Sequence, residues 1–105
     1  PLGAGFLTGK YRSSEPVPTA TRFDVKHGHK DIYFKDEFFD IVEGLHAKAE
    51  ETGRSMIDLA LAWTIGQPGI TSVLIGARGT DQVDQAFAAE AAGLPDELRA
   101  ALSSL

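Results

Sequence analysis

At 105 residues and 43% hydrophobic side chains, the sequence has material for one small domain with a modest core. A net charge of −5, with the few Lys and Arg scattered along the chain, argues against a nucleic-acid or anionic-membrane surface, and the lack of cysteine rules out a disulfide framework or thiolate metal site. No apolar run is long enough to span a bilayer and no charged-then-apolar signal opens the sequence, so a soluble, cytoplasmic protein is expected.

The first stretch, Pro1 to Tyr11 (PLGAGFLTGKY), sets Phe6 and Leu7 among three glycines and reads as a loop held close to something else. It starts at Pro1 without an initiator methionine, which reads as a cut rather than a beginning. The phosphate-loop pattern fails, because Gly3 lies one residue too far from Gly9-Lys10 and Tyr11 replaces the required hydroxyl residue. The dinucleotide fingerprint fails as well, since Gly3-Ala4-Gly5 is followed by Phe6, Leu7 and Thr8 without a third glycine. From Arg12 to Lys35, Pro16, Pro18 and many polar residues show no sustained periodicity, so the segment reads as a long surface excursion. His27-Gly28-His29 with Asp31 invites a metal reading, but two histidines without a third placed ligand are outweighed by a solvated loop. Arg22-Phe23 reads as a surface pair on the same grounds.

Phe38, Ile41, Val42, Leu45 and Ala49 recur at helical steps and predict a helix from Asp36 to Thr52, stopped by Gly53, with His46 at the edge of its stripe. Ser55-Met56-Ile57-Asp58 has capping-box spacing and opens a second helix to about Gln67. Ile57, Leu59, Ala60, Leu61, Ala62, Trp63 and Ile65 leave that helix almost no polar face, so it must be covered on both sides. Gln67-Pro68-Gly69 ends it. Ser72 to Ile75 then reads as a short strand buried on both faces, Gly76-Ala77-Arg78-Gly79 as a loop, and Thr80 as the cap of a helix whose buried stripe starts at Val83 and Phe87. A glycine loop leading into a helix N-terminus, with an arginine at its tip, favours an anion such as phosphate, although most such turns bind nothing. Ala91-Ala92-Gly93 ends this helix, and Pro95 opens a last one with Leu94, Leu98, Ala101, Leu102 and Leu105 on its apolar side.

One strand cannot satisfy its own backbone donors and acceptors, so these elements describe part of a larger fold. PLGAGFLTGKY, the helix running into ALAWTIGQPGITSVLIGAR, and the TxxQ helix start together resemble the carboxy-terminal third of an aldo-keto reductase, in the family's order and close to its spacing. The resemblance implies an α/β fold in which this chain is the carboxy-terminal fragment of an eight-stranded β/α (TIM) barrel, mostly helical with one clear strand. Residues 1–35 would form the cofactor loop and long excursion, 36–67 a helical pair, 71–90 the last strand, phosphate loop and helix, and 94–105 the terminal helix.

The family resemblance further implies an oxidoreductase that moves hydride from NADPH to an aldehyde or ketone, without a metal. The family's tyrosine, lysine, aspartate and histidine tetrad lies on earlier strands, and neither Tyr11 nor Tyr33 matches it. Carried over by resemblance, Pro1, Leu2, Gly3 and Ala4 match the backbone along the cofactor pyrophosphate and Lys10 a lysine reaching it. Arg22 matches a basic residue of the long loop over the cofactor. Gly76 and Arg78 match the loop that holds the 2′-phosphate, and Gln82 the glutamine near the adenosine. Gln85-Ala86 stands where the family usually shows Glu-Asn, which implies weaker or altered adenosine recognition. The implied partners are the amino-terminal remainder of the barrel and a small carbonyl substrate, with neither nucleic acid nor membrane. Two other readings are a stand-alone helical interaction module and a nucleotide-sensing regulatory subunit of the same fold.

Overall fold

The computed structural model describes every residue except Ser14, His27 and the side chain of His29, so the His27-Gly28-His29 reading falls partly outside the described residues. After a 3-10 turn at Phe6–Thr8 come α1 (Arg22–Val25), α2 (Gly28–Tyr33), α3 (Asp36–Thr52), α4 (Met56–Ile65), α5 (Thr80–Ala92) and α6 (Asp96–Ser103). Helix α3 spans the range that its apolar spacing predicts, and Gly53 ends it at φ 70°, a left-handed conformation that costs glycine little. Ser55 caps α4 by accepting the Asp58 N–H at 3.0 Å, one half of the expected capping box. The other half is absent because Asp58 turns aside to a two-pronged pair with Arg54, at 2.7 and 3.0 Å. Helix α4 ends at Ile65, two residues before the predicted limit, and α5 is capped by Gly79, with Thr80 already inside the helix.

Helix α4 runs through the middle of the fold, as an element with almost no polar face requires. Leu59 and Ala60 join a core with Phe6, Tyr11, Phe23, Phe39, Val42, Leu45, Met56 and Leu102. Leu61 and Ala62 pack on Ala86 and Ala89 of α5, where small side chains let the two helices approach closely. On its other flank α4 meets α3, whose Gly44 leaves room for Leu105: a Cβ there would lie 2.7 Å from the leucine Cδ2.

Two expectations are corrected. The stretch from Arg12 to Lys35 does lie largely at the surface, but it is not an irregular loop: it contains α1 and α2, and Phe23, expected at the surface beside Arg22, is 0% exposed. Aromatic packing accounts for this: Phe23 meets Tyr11 edge to face at 4.4 Å and Phe34 at 5.1 Å, while Phe6 meets Phe39 at 5.0 Å. Seven of the nine aromatic residues of the chain fall between positions 6 and 39, a density that a solvated loop would not carry.

The second correction concerns the one clear strand. Among the described residues there is no strand, and Ser72 to Ile75 is irregular, with Leu74 92% exposed. A strand is defined by its ladder, and among the described residues no other segment lies alongside to form one. The apolar run is therefore uncovered here, together with Phe87 on α5, which is 65% exposed.

Candidate functional site

The first five residues form an unusual left-handed turn. Gly3, Ala4 and Gly5 all have positive φ (57°, 57° and 92°), and Ala4 is not a glycine, so the turn is held against a local steric cost. Hydrogen bonds hold it: Gly5 and Leu7 donate to the Leu2 carbonyl at 3.1 Å each, and Phe6 donates to Gly3 at 3.0 Å. The N–H groups of Leu2, Gly3 and Ala4 have no such bond among the described residues and remain available as donors. Lys10 folds back across this turn, close enough that a Cβ on Gly5 would stand 2.9 Å from the lysine Cε.

A second wall comes from Ala20, Thr21 and Arg22. The buried Phe23 ring fixes this segment in place, and its N–H donates to the Tyr11 hydroxyl at 3.3 Å within the core. The third wall is the Ile75 to Arg78 loop and the first turns of α5. There the Gln82 Oε1 accepts the Arg78 N–H at 2.8 Å, drawing the loop onto the helix end.

These walls enclose a cleft of about 630 Å³, lined by Pro1, Leu2, Ala4, Lys10, Arg22, Gly76, Arg78, Gln82 and Gln85 among others. All are residues that the resemblance assigns to the cofactor. Gly3, the tenth, does not line it and faces a smaller apolar cleft with Phe6, Leu7, Tyr33, Phe38 and Ile41. The sequence reading missed Thr8 and Thr21, and also Ile57 and Leu61, which together with Ala86 add apolar surface to the large cleft. The absence of a polar face on α4 was the available signal, since a helix that must be covered all round can supply a cleft floor as well as a core.

The charge distribution of the cleft is one-sided. Lys10, Arg22 and Arg78 line it, no Asp or Glu does, and among the described residues none of the three takes part in an ion pair. Of the carboxylates outside the cleft, Glu43 pairs with Arg12 at 3.1 Å and Asp58 with Arg54, while Asp24, behind the Ala20 to Arg22 wall, accepts the Ala20 N–H at 2.7 Å. In a chain of net charge −5, three unpaired cations from separate segments give this one cleft a positive lining.

The sequence profile of the Aldo/keto reductase family matches residues 1–105, the whole chain. The chain belongs to the aldo/keto reductase family. Among curated relatives it is similar to a probable voltage-gated potassium channel subunit beta of Arabidopsis thaliana, 33% identical over 88 residues, covering 81% of this chain and 26% of the relative. A rice (Oryza sativa subsp. japonica) protein of the same description is 35% identical over 86 residues, covering 79% and 26%. The L-glyceraldehyde 3-phosphate reductase of Escherichia coli K12 is 31% identical over 90 residues, covering 81% and 25%. The chain thus spans about a quarter of the length of these relatives.

Membership of a family of β/α barrels explains how the chain can have helices as its only regular elements among the described residues and yet carry an apolar run suited to a strand. Its two tyrosines have structural surroundings. Tyr11 is fully buried with its hydroxyl accepting the Phe23 N–H, and the Tyr33 ring stacks on Phe6 at 6.0 Å. Among the described residues no helix is long and apolar enough to cross a membrane, and no cluster of three His, Asp or Glu side chains could hold a metal.

Proposed function

We propose that this chain is the cofactor-binding part of an NADPH-dependent aldo/keto reductase that reduces an aldehyde or ketone in the cytoplasm. The observation that carries the reading is the meeting of Lys10, Arg22 and Arg78 around one cleft that no carboxylate lines. A carboxylate is what commonly reads the free 2′-hydroxyl of NADH, whereas a guanidinium suits the dianionic 2′-phosphate of NADPH. Residues and cofactor fit on these grounds. Arg78 would take the 2′-phosphate. Lys10 and the free N–H groups of Leu2, Gly3 and Ala4 would take the pyrophosphate, as successive amides in a left-handed turn form a concavity for anions. Arg22 would close on the cofactor from the opposite wall, and Ile57, Leu61 and Ala86 would exclude water beneath it.

When bound, NADPH supplies the hydride for carbonyl reduction. The chain's own residues bind and orient it, and the groups that activate the carbonyl belong to the remainder of the barrel, proposed here as its partner. That remainder would also cover Leu74, Ile75 and Phe87. The test is NADPH binding, followed by its consumption with a panel of aldehydes and ketones, using the intact protein that contains this chain. Saturable binding with carbonyl-dependent oxidation is expected, and absence of binding would refute the reading. A second reading has a specific basis, since relatives named as potassium channel subunits match the chain as well as a named reductase does. A nucleotide-sensing subunit would use the same cleft, and NADPH binding without turnover of any carbonyl would favour it.

A further inference from the structure

Gln82 lines the large cleft, and on that basis alone it would be taken for a residue that touches the cofactor. Its hydrogen bond indicates a different task. The side-chain Oε1 accepts the backbone N–H of Arg78 at 2.8 Å, four residues back. Gly79, the residue at the N-cap of α5, has no side chain to cap the helix, and no side-chain cap bond forms there. Gln82 in the first turn instead reaches past the cap to the residue before it, much as the third helical residue of a capping box reaches back. The loop it ties down has few other restraints: residues 71–77 are irregular, and Gly76 to Gly79 are all exposed. Arg78 is the one charged residue of that loop.

We infer that Gln82 is a positioning residue for Arg78, fixing the loop backbone so that the guanidinium is held at the cleft, and that it thereby sets the preference for a 2′-phosphorylated dinucleotide. The inference rests on the cofactor reading above and deepens it. Its consequence separates it from the alternatives. A direct contact between Gln82 and the adenosine would serve NADPH and NADH alike, because both carry the same adenine and ribose ring. A purely structural role would weaken both as well. Positioning of Arg78 affects only the cofactor with a 2′-phosphate for the guanidinium to bind.

The experiment is a double-mutant cycle in the intact protein, with Gln82→Met, which keeps the length of the side chain and removes the acceptor, and Arg78→Gln, alone and combined. Dissociation constants for NADPH and NADH are measured for all four proteins. One charge-neutral hydrogen bond supports an expected loss of roughly fivefold in NADPH affinity for Gln82→Met, with NADH unchanged within about twofold. In the Arg78→Gln background the further substitution should have no effect on NADPH, because the group being positioned has gone. Equal losses for the two cofactors would overturn the inference, and so would losses at the two sites that simply add. Failure of the unsubstituted protein to bind either cofactor would instead remove the function on which the inference rests.

Discussion

Lys10 reaches the cleft because position 5 has no side chain. At φ 92° Gly5 occupies backbone space that an L residue rarely enters, and a Cβ there would meet the lysine Cε at 2.9 Å and Nζ at 3.1 Å. Gly5→Ala therefore combines backbone strain of about 1–3 kcal/mol with displacement of the ammonium group from the cleft. A lower urea midpoint and weaker binding of NADPH and NADH alike are expected, since both carry the pyrophosphate. Unchanged affinity in a folded variant would detach Lys10 from its assigned role. Ala4 has the opposite relation to its backbone: at φ 57° it bears a strain that glycine would relieve. These conformations were not legible in the sequence. The glycines marked the stretch as a loop, but which residues would turn left-handed, and that Gly3 would face away from the large cleft, follow only from hydrogen bonds and from the Tyr33 ring packed against it.

At the scale of elements, the longer helices followed from spacing, and the two short ones did not. Helices α3 and α4 follow from periodic apolar positions and from local stop and cap residues, whose effects act within one turn. The short helices α1 and α2 have no such periodicity. They are held by aromatic residues distant in sequence, such as Tyr11 on Phe23, and single-sequence periodicity does not report those contacts. Arg54 is a similar case. Between α3 and α4, it pairs with Asp58 through two nitrogens and donates a third bond to the Gly93 carbonyl at 2.8 Å, tying this junction to the one between α5 and α6. Hydrogen bonding to Asp58 holds its guanidinium above the ordinary arginine value. A raised pKa gives stability that is present below the unfolded-state value and lost only as pH rises past the folded one, so this contribution of Arg54 is fully present at neutral pH and is lost only in strong alkali. Arg54→Met should cost about 2 kcal/mol in urea unfolding of the intact protein at neutral pH, because it leaves partly buried acceptors unpaired. A loss below about 0.5 kcal/mol would mean that solvent screens the pair fully.

The whole molecule shows the limit of local reasoning most clearly in Ser72 to Ile75. The residues have strand composition, yet no described segment of the chain supplies the neighbours that would make them a strand, so composition and structure disagree for a reason of topology. In the proposed barrel those neighbours are supplied by the remainder of the fold. Hydrogen exchange tests this directly. The amides of Val73, Leu74 and Ile75 should exchange at nearly unprotected rates in the isolated chain and be slowed by orders of magnitude in the intact protein. Equal rates in the two would show that this segment joins no sheet. The candidate site was legible in a different way: resemblance supplied its residues, whereas neither spacing nor composition could have brought Lys10, Arg22 and Arg78 to one cleft. That convergence depends on Phe23 being buried and on α5 packing against α4 through Ala86 and Ala89.

The account depends most on Arg78 reading a 2′-phosphate, and the direct measurement is the ratio of NADPH to NADH dissociation constants in the intact protein, before and after Arg78→Gln. The unsubstituted protein should prefer NADPH by about 10- to 100-fold, the value of a charge-assisted contact. The variant should lose most of that preference while its NADH affinity holds. A preference that survives the substitution, or that was never present, would contradict the account.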